Sequence, residues 1–235
     1  MSAYAVIPVC ALLCYFFLLL AFLAAKKSRI INSFIILMLA FSFWTLGSFC
    51  MRMQLPPSMD FWFYVSIDAL FLLCYANAHF VRVFTGKESK FRLRIWLIGS
   101  AIIILINHLT GGIFIGSPER VVNGEEVQFI YTTTWIIILP LLFNALIVLD
   151  MIMMLVKYGR SNHYARLQII PVIAGIAVVF LGNILASLPA FDHFPIDILS
   201  GILNAFLIFY AMYNRRLFQL TLLVSRSVCY LISAV

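Results

Sequence analysis

The sequence has little charge. Only 11% of its 235 residues are Asp, Glu, Lys or Arg, whereas 64% are apolar and the mean hydropathy is +1.07. A soluble domain of this length carries roughly a quarter charged residues, because its surface faces water. The composition therefore excludes a soluble globular protein and indicates an integral membrane protein whose first partner is the lipid bilayer.

The sequence also lacks the motifs of common enzyme and cofactor sites. It contains no H-E-x-x-H, no G-x-S-x-G and no glycine-rich phosphate loop, and its five cysteines form no C-x-x-C pair. The last apolar segment has no lysine that could hold retinal. We therefore predict no catalytic residue, no metal site and no cofactor in this chain.

Seven apolar segments are long enough, at about 20 residues each, to cross the hydrocarbon as helices. The predicted fold is an all-α membrane protein, a bundle of seven transmembrane helices. The predicted spans are Ala3–Ala25, Ile30–Met51, Phe61–Phe84, Ile95–Ile115, Thr134–Val156, Leu167–Leu188 and Ile196–Tyr213.

The basic residues gather at one end of this bundle. All sixteen except Arg52 and Arg120 lie at or after the inner ends of the first, third, fifth and seventh helices. Basic residues near helix ends stay in the cytoplasm, so we expect a multi-pass protein of the cell membrane with its N-terminus outside and its C-terminus inside. The net charge of +7 is a topology signal and does not indicate a nucleic-acid partner.

The outer connection between the fourth and fifth helices is predicted to form a β-hairpin. It carries Asn123-Gly124 between valine-rich runs, and an Asn-Gly pair is the strongest short signal for a tight turn. The predicted pairing joins Glu119–Val122 to Glu125–Gln128, with the hairpin resting on the outer mouth of the bundle. A disordered polar loop is the alternative.

Several polar side chains fall at similar depth in the outer half of the membrane, about 9–15 Å below its surface at a rise of 1.5 Å per residue. A polar group in lipid is costly without a partner, so each of these side chains needs a reason. The candidate ligand-binding residues are Asp68, Asn107, His108, Asn183, Asp197 and Asn204.

Two interpretations of this polar layer compete. The side chains can hydrogen-bond between helices and hold the bundle together. Alternatively, they can line a pocket, open to the outside, for a small molecule or a peptide. His108 is the expected partner of Asp68, and Gly201 is expected to let another helix approach the face that carries Asp197 and Asn204.

A second polar group lies near the inner ends of the helices. Asp150 is about six residues from the cytoplasmic end of the fifth helix, and Arg82 ends the third. We predict a structural ion pair between Arg82 and Asp150 that locks these two helices together.

The segment Leu181–Leu220 carries a set of features that appear in order along and after the seventh helix. They are Pro195 and Asp197, then Asn204-Ala205, Phe209-Tyr210-Ala211 and Arg216-Leu217-Phe218. In these features the segment resembles the end of the bacterial seven-helix sensor module found at the N-terminus of histidine kinases. The number, orientation and loop lengths of the predicted helices fit that module over residues 1–220.

The resemblance implies a sensory input module that passes a conformational change through the seventh helix to a cytoplasmic output. That output would be a histidine kinase or a diguanylate cyclase, in the same chain or in a separate one, and a homodimer is a further partner arrangement to consider. Residues 221–235 are expected to begin a linker or an eighth helix of a truncated chain, unless the module stands alone.

Two other classes of function compete with a sensor. A small-molecule transporter of two three-helix halves around a linker helix would need a polar path through the whole membrane, and the inner half of this chain is mostly apolar. A purely structural membrane protein fits the sequence if the polar layer only joins helices.

Overall fold

The computed structural model describes residues 3–23, 25, 27–87, 89–123, 126–130, 133–161, 163–186 and 194–214. Its helices are α1 (Ala3–Leu23), α2 (Arg29–Arg52), α3 (Met59–Thr85), α4 (Lys90–Leu109), α5 (Ile138–Ser161), α6 (His163–Ala186) and α7 (Ile196–Asn214). All seven are long and apolar enough to cross a bilayer, which confirms a seven-helix, multi-pass membrane protein. The predicted linker at 221–235 and Arg216 lie outside the described residues.

The connections between the helices alternate between two ends of the bundle. We call the end that holds the α2–α3, α4–α5 and α6–α7 connections the hairpin end, and the opposite end the basic end. α1, α3, α5 and α7 therefore run from the hairpin end to the basic end, and the other three helices run back.

Two antiparallel strands, β1 (Glu119–Asn123) and β2 (Glu126–Ile130), lie in the α4–α5 connection. Their register places Val122 opposite Val127, whereas the predicted pairing had centred the turn one residue earlier. The turn residues 124 and 125 lie outside the described residues.

The hairpin contacts the bundle through Phe129. Its ring packs against the small apolar cluster around Met51 and Phe63, and the guanidinium carbon of Arg52 lies 5.5 Å from the ring centroid. A cation over an aromatic face at this distance is attracted by the ring. The hairpin is therefore attached to the ends of α2 and α3.

α4 differs from its predicted bounds. The apolar run predicted Ile95–Ile115, but the helix begins five residues earlier and ends six earlier, at Lys90 and Leu109. Ser89 caps its first turn by accepting a backbone N–H, which allows the basic residues after it to be helical. Gly111 and Gly112 have positive φ and end it at the hairpin end.

α5 is shifted in the opposite direction. Its predicted span was Thr134–Val156, but a 3₁₀ turn at Trp135–Ile137 precedes the α-helix, which runs from Ile138 to Ser161. Pro140 consequently falls in the first turn of α5, where its missing N–H costs no helix hydrogen bond.

α3 is the central helix of the bundle at the basic end. It contacts α2, α4 and α5, and its residues from Ala76 to Thr85 are buried except for the half-buried His79. α2 contacts α1, α3 and α7, so α2 and α3 together link α1, α4, α5 and α7.

The backbones of α2 and α3 touch at Gly47. A Cβ atom on Gly47 would lie 2.6 Å from the backbone nitrogen of Ser66 and 2.8 Å from the carbonyl oxygen of Trp62. Beside this contact, the Ser66 hydroxyl donates to the carbonyl oxygen of Trp44 at 3.0 Å. Such close approach between membrane helices depends on the absence of a side chain.

We expect Gly47→Ala to destabilise the protein by about 1–3 kcal/mol, because the new methyl group meets the backbone of α3, which cannot move without separating the helices. Gly99→Ala is the matched control, since a Cβ there meets only the Phe143 ring, a side chain that can turn away. The measurement is the temperature at which detergent-solubilised protein loses its monodisperse size-exclusion peak. Equal losses in the two variants would contradict the role given to Gly47.

Candidate functional site

Asp68 on α3 and His108 on α4 form a contact between these helices. His108 Nε2 lies 2.8 Å from Asp68 Oδ2, and the Tyr64 ring lies over the imidazole with 4.5 Å between ring centroids. This contact confirms His108 as the partner of Asp68. The second carboxylate oxygen, Oδ1, is buried and has no hydrogen-bond partner among the described residues.

A cavity of about 360 Å³ adjoins this pair and is formed by α2, α3 and α4. This volume falls in the range of small-molecule sites, roughly 300–1,000 Å³. Asp68 supplies its one ionisable carboxylate. The remaining lining residues are Ile36, Ala40, Phe43, Val65, Ala69, Leu72, Tyr75, Ala76 and Leu97.

Asn107 does not face this cavity. Its Oδ1 accepts from the backbone N–H groups of Phe114 at 3.1 Å and Ile115 at 3.2 Å, and its Nδ2 donates to the carbonyl oxygen of Ile115 at 3.2 Å. The side chain is fully buried. Asn107 thus holds the turn that follows α4, and its hydrogen-bonding capacity is used by that turn.

Asn183 bonds within its own helix. Its Nδ2 donates to the carbonyl oxygen of Val179 at 2.8 Å, a bond of the i to i−4 type on α6. This contact places its amide along α6.

The polar residues of α7 form a separate group. Asn204 is fully buried against α6, and a Cβ on Gly175 would lie 2.3 Å from Asn204 Oδ1. Within the described part of the chain, neither amide atom of Asn204 has a hydrogen-bond partner. One turn towards the hairpin end, a Cβ on Gly201 would lie 2.7 Å from the Tyr15 hydroxyl, so α1 closely approaches α7 at this glycine.

Sequence reasoning missed one member of this α7 group. Tyr15 on α1 is fully buried and brings its hydroxyl group to Gly201. Asp197 begins α7 at the hairpin end of the same region, and its carbonyl oxygen accepts from the Ser200 hydroxyl at 2.6 Å. The predicted polar layer is therefore not one site: Asp68 and His108 form one pair, Asp197 and Asn204 belong to the α7 group, and Asn107 and Asn183 bind backbone groups elsewhere.

The basic end holds a charged cluster around Asp150. Arg82 and Asp150 form the predicted ion pair, with their side chains only 3% and 7% exposed. Arg92 Nη1 donates to the other carboxylate oxygen at 2.9 Å, and Trp96 Nε1 lies 3.3 Å from Oδ2. Asp150 on α5 thus joins α3 and α4.

Arg92 was missed because α4 was predicted to start at Ile95, after it. With α4 beginning at Lys90, Arg92 and Trp96 are four apart on one helix and share a face. A serine cap before the basic run, at Ser89, was the sequence signal that could have found them.

We expect Asp150→Asn to destabilise the protein by about 3–5 kcal/mol, because Arg82 would stay buried without its counter-charge. Arg92→Gln should cost less than about 1 kcal/mol, since the Arg92 side chain is 59% exposed. The measurement is again the loss of the monodisperse peak on heating.

The double variant Arg82→Met, Asp150→Leu is the rescue control, because it removes both buried charges together. It should recover most of the stability that Asp150→Asn loses. A double variant no better than Asp150→Asn would show that the ion pair does not explain the loss. Exchanging the two charges, with an acid at position 82 and a base at position 150, is a weaker test of the ion pair. Arg92 would then face a cation at position 150.

The comparison with known proteins agrees with this architecture. A family model described as the N-terminal 7TM region of histidine kinase matches residues 6–221. A comparison with curated proteins found no match to the chain. The match extends from α1 to α7 over most of the sequence, and it implies a membrane sensory input module associated with a cytoplasmic kinase domain. The chain therefore belongs to the family of N-terminal seven-transmembrane regions of histidine kinases.

Proposed function

We propose that this module binds an extracellular ligand at the Asp68–His108 pair and relays the binding event through α7 to the cytoplasmic kinase. The observation that carries the proposal is the position of Asp68, which joins α3 to α4 and also lines the 360 Å³ cavity. A ligand that contacts Asp68 can therefore change the relation between the two helices.

Charge asymmetry supports an orientation with the hairpin end outside. The basic end includes Lys27, Arg82, Lys87 and Arg92, whereas the hairpin end has Arg52 and Arg120. Because basic residues near helix ends remain in the cytoplasm, the hairpin, Asp68 and His108 lie towards the outer surface.

α2 is the element that can connect the cavity to α7. Phe43 lines the cavity and is 52% exposed, whereas Phe41 is fully buried, with its ring centroid 5.7 Å from that of Tyr15. A Cβ on Gly201 would lie 3.2 Å from the Phe41 ring, so Phe41 and Tyr15 meet α7 at the same glycine. Two residues apart on a helix, Phe41 and Phe43 face different sides, and a shift of α2 moves both contacts.

Ligand binding shifts the receptor between two arrangements by its differential affinity for them. In this proposal Asp68 and His108 contact the ligand, and Asp197 and Asn204 report the arrangement of α7. Asn204 is assigned to the relay because it is fully buried against α6. The proposed output is the kinase, with a diguanylate cyclase as the second output that the family resemblance allows.

The proposed orientation predicts the activity of reporter fusions. Alkaline phosphatase fused after Thr110, which follows α4, should be active because it lies outside the cell. The same enzyme fused after Gly86, between α3 and α4, should be inactive and is the matched control. Phosphatase activity after Gly86 and none after Thr110 would show that the hairpin end faces the cytoplasm, the reverse of the proposed orientation.

The proposed relay predicts the output of the full chain when it is fused to the cytoplasmic part of a histidine kinase. We expect Asp68→Asn and Asn204→Leu each to change autophosphorylation in isolated membranes by about fivefold or more, the lower range of allosteric coupling. Asp68→Asn weakens the α3–α4 contact, and Asn204→Leu alters the packing of α7 on Gly175. Asn32→Leu, an exposed position on α2, is the matched control and should leave the output unchanged. Unchanged output in both test variants, at normal membrane levels, would refute the relay.

A further inference from the structure

The cavity beside Asp68 extends along α3 and is almost entirely apolar. On α3 its lining runs from Val65 to Ala76, which corresponds to about 16 Å along the helix at 1.5 Å per residue. α2 contributes Ile36, Ala40 and Phe43 to the lining, and α4 contributes Leu97. Apart from Asp68 and the phenol of Tyr75, the side chains along it are hydrocarbon.

The walls of the cavity face the lipid. Ile36 and Phe43 on α2 are 41% and 52% exposed, and Leu97 on α4 is 41% exposed. All three lie inside membrane-spanning helices, where an exposed side chain contacts hydrocarbon. A ligand can therefore enter sideways from the bilayer, between α2 and α4.

The polar group lies at the end of the cavity nearer the hairpin. Asp68 is in the third turn of α3, and the lining residues beyond it, towards the basic end, are Ala69, Leu72, Tyr75 and Ala76. A molecule with its head at Asp68 would place its chain towards the middle of the membrane. A single-chain amphiphile in the outer leaflet has this same orientation.

The chemistry of Asp68 restricts the head group. His108 occupies Oδ2, and Oδ1 is an acceptor that has no partner within the described ranges. A carboxylate in apolar surroundings attracts a hydrogen-bond donor and repels an anion.

We propose that the cavity binds a single-chain amphiphile whose head donates a hydrogen bond, an amine or a hydroxyl, to Asp68. This ligand class rests on the proposed function, in which Asp68 and His108 recognise the ligand. The apolar chain would lie along α3 between Ala69 and Ala76. An anionic head such as a fatty-acid carboxylate would be rejected.

Photolabelling of the full chain in phosphatidylcholine nanodiscs tests the proposal. The probe is dodecylamine with a diazirine near the end of its chain, and the labelled residues are mapped by mass spectrometry. Labels should fall on Ile36–Phe43 and on Ala69–Ala76. An excess of dodecylamine or dodecanol should remove them, and dodecanoate should compete about tenfold less well, as expected when one charge-assisted hydrogen bond is lost.

Variants locate the site and separate the two head groups. Ala69→Phe should fill the cavity and abolish labelling, whereas Ile102→Phe, on a lipid-facing part of α4, should leave it unchanged. Asp68→Asn keeps an acceptor oxygen but removes the charge, so it should weaken dodecylamine about tenfold and dodecanol much less. If Ala69→Phe does not fold, competition on the unmodified chain still decides the outcome.

Three results would overturn the proposal. The first is labelling spread over all lipid-facing helices without competition, which means partition into the bilayer only. The second is equal competition by dodecanoate and dodecylamine, which means that Asp68 does not discriminate between head groups. The third is loss of labelling when half of the lipid is phosphatidylethanolamine, which means that a two-chain membrane lipid fills the cavity.

The labelling assay does not depend on signalling, so the two proposals can fail separately. If labelling is specific but Asp68→Asn leaves the kinase output unchanged, the proposed ligand class is supported and the proposed relay is refuted. If labelling is not specific but Asp68→Asn alters the kinase output, the proposed sensor function is supported and the proposed ligand class is refuted.

Discussion

Hydrocarbon offers no hydrogen-bond partner, so each polar group that a helix carries into the bilayer must be satisfied within the protein. Arg82 and Asp150 show this constraint most clearly, because both are almost fully buried and each neutralises the other. The pair fixes α3 against α5, and Arg92 adds α4 to the same carboxylate. Asn107 meets the same requirement at the hairpin end, where its amide binds backbone groups beyond the last turn of α4.

Hydropathy and charge were sufficient to predict the number of helices and two of the contacts between them. The Asp68–His108 and Arg82–Asp150 contacts could be predicted from depth in the membrane alone. A charged side chain inside the bundle is stabilised by an opposite or complementary group at the same depth. The bounds of α4 did not follow, because a run of apolar residues does not reveal the serine cap that extends the helix into a basic segment. The contact between Arg92 and Asp150 was not predicted because Arg92 lies outside the predicted bounds of α4.

Depth along the membrane normal says nothing about direction around a helix axis. Asp68 and Asn204 lie at similar depth, yet Asp68 faces the cavity between α2 and α4, and Asn204 faces Gly175 on α6. Tyr15 was missed for the same reason. α1 is apolar on all sides, so no stripe in its sequence shows which face is buried. Only the packed bundle could show that Asp68 and His108 lie apart from the α7 group, and that Asn107 and Asn183 bind backbone groups outside both.

Glycine contacts join the helices into two tightly packed pairs, α2 with α3 and α6 with α7. Gly47 brings α2 onto the backbone of α3, and Gly175 and Gly182 bring α6 against Asn204 and Ser200 of α7. These two helix pairs also share the most extensive interfaces in the bundle. Tightly packed helices resist sliding past each other. In the proposed relay, the conformational change therefore occurs at the junction between the two pairs. That junction includes Gly201, where Tyr15 and Phe41 meet α7, and it lies on the side of α2 away from the cavity. In the proposed relay, a ligand between α2 and α4 pushes the α2–α3 pair against α7 at Gly201, where no side chain absorbs the displacement.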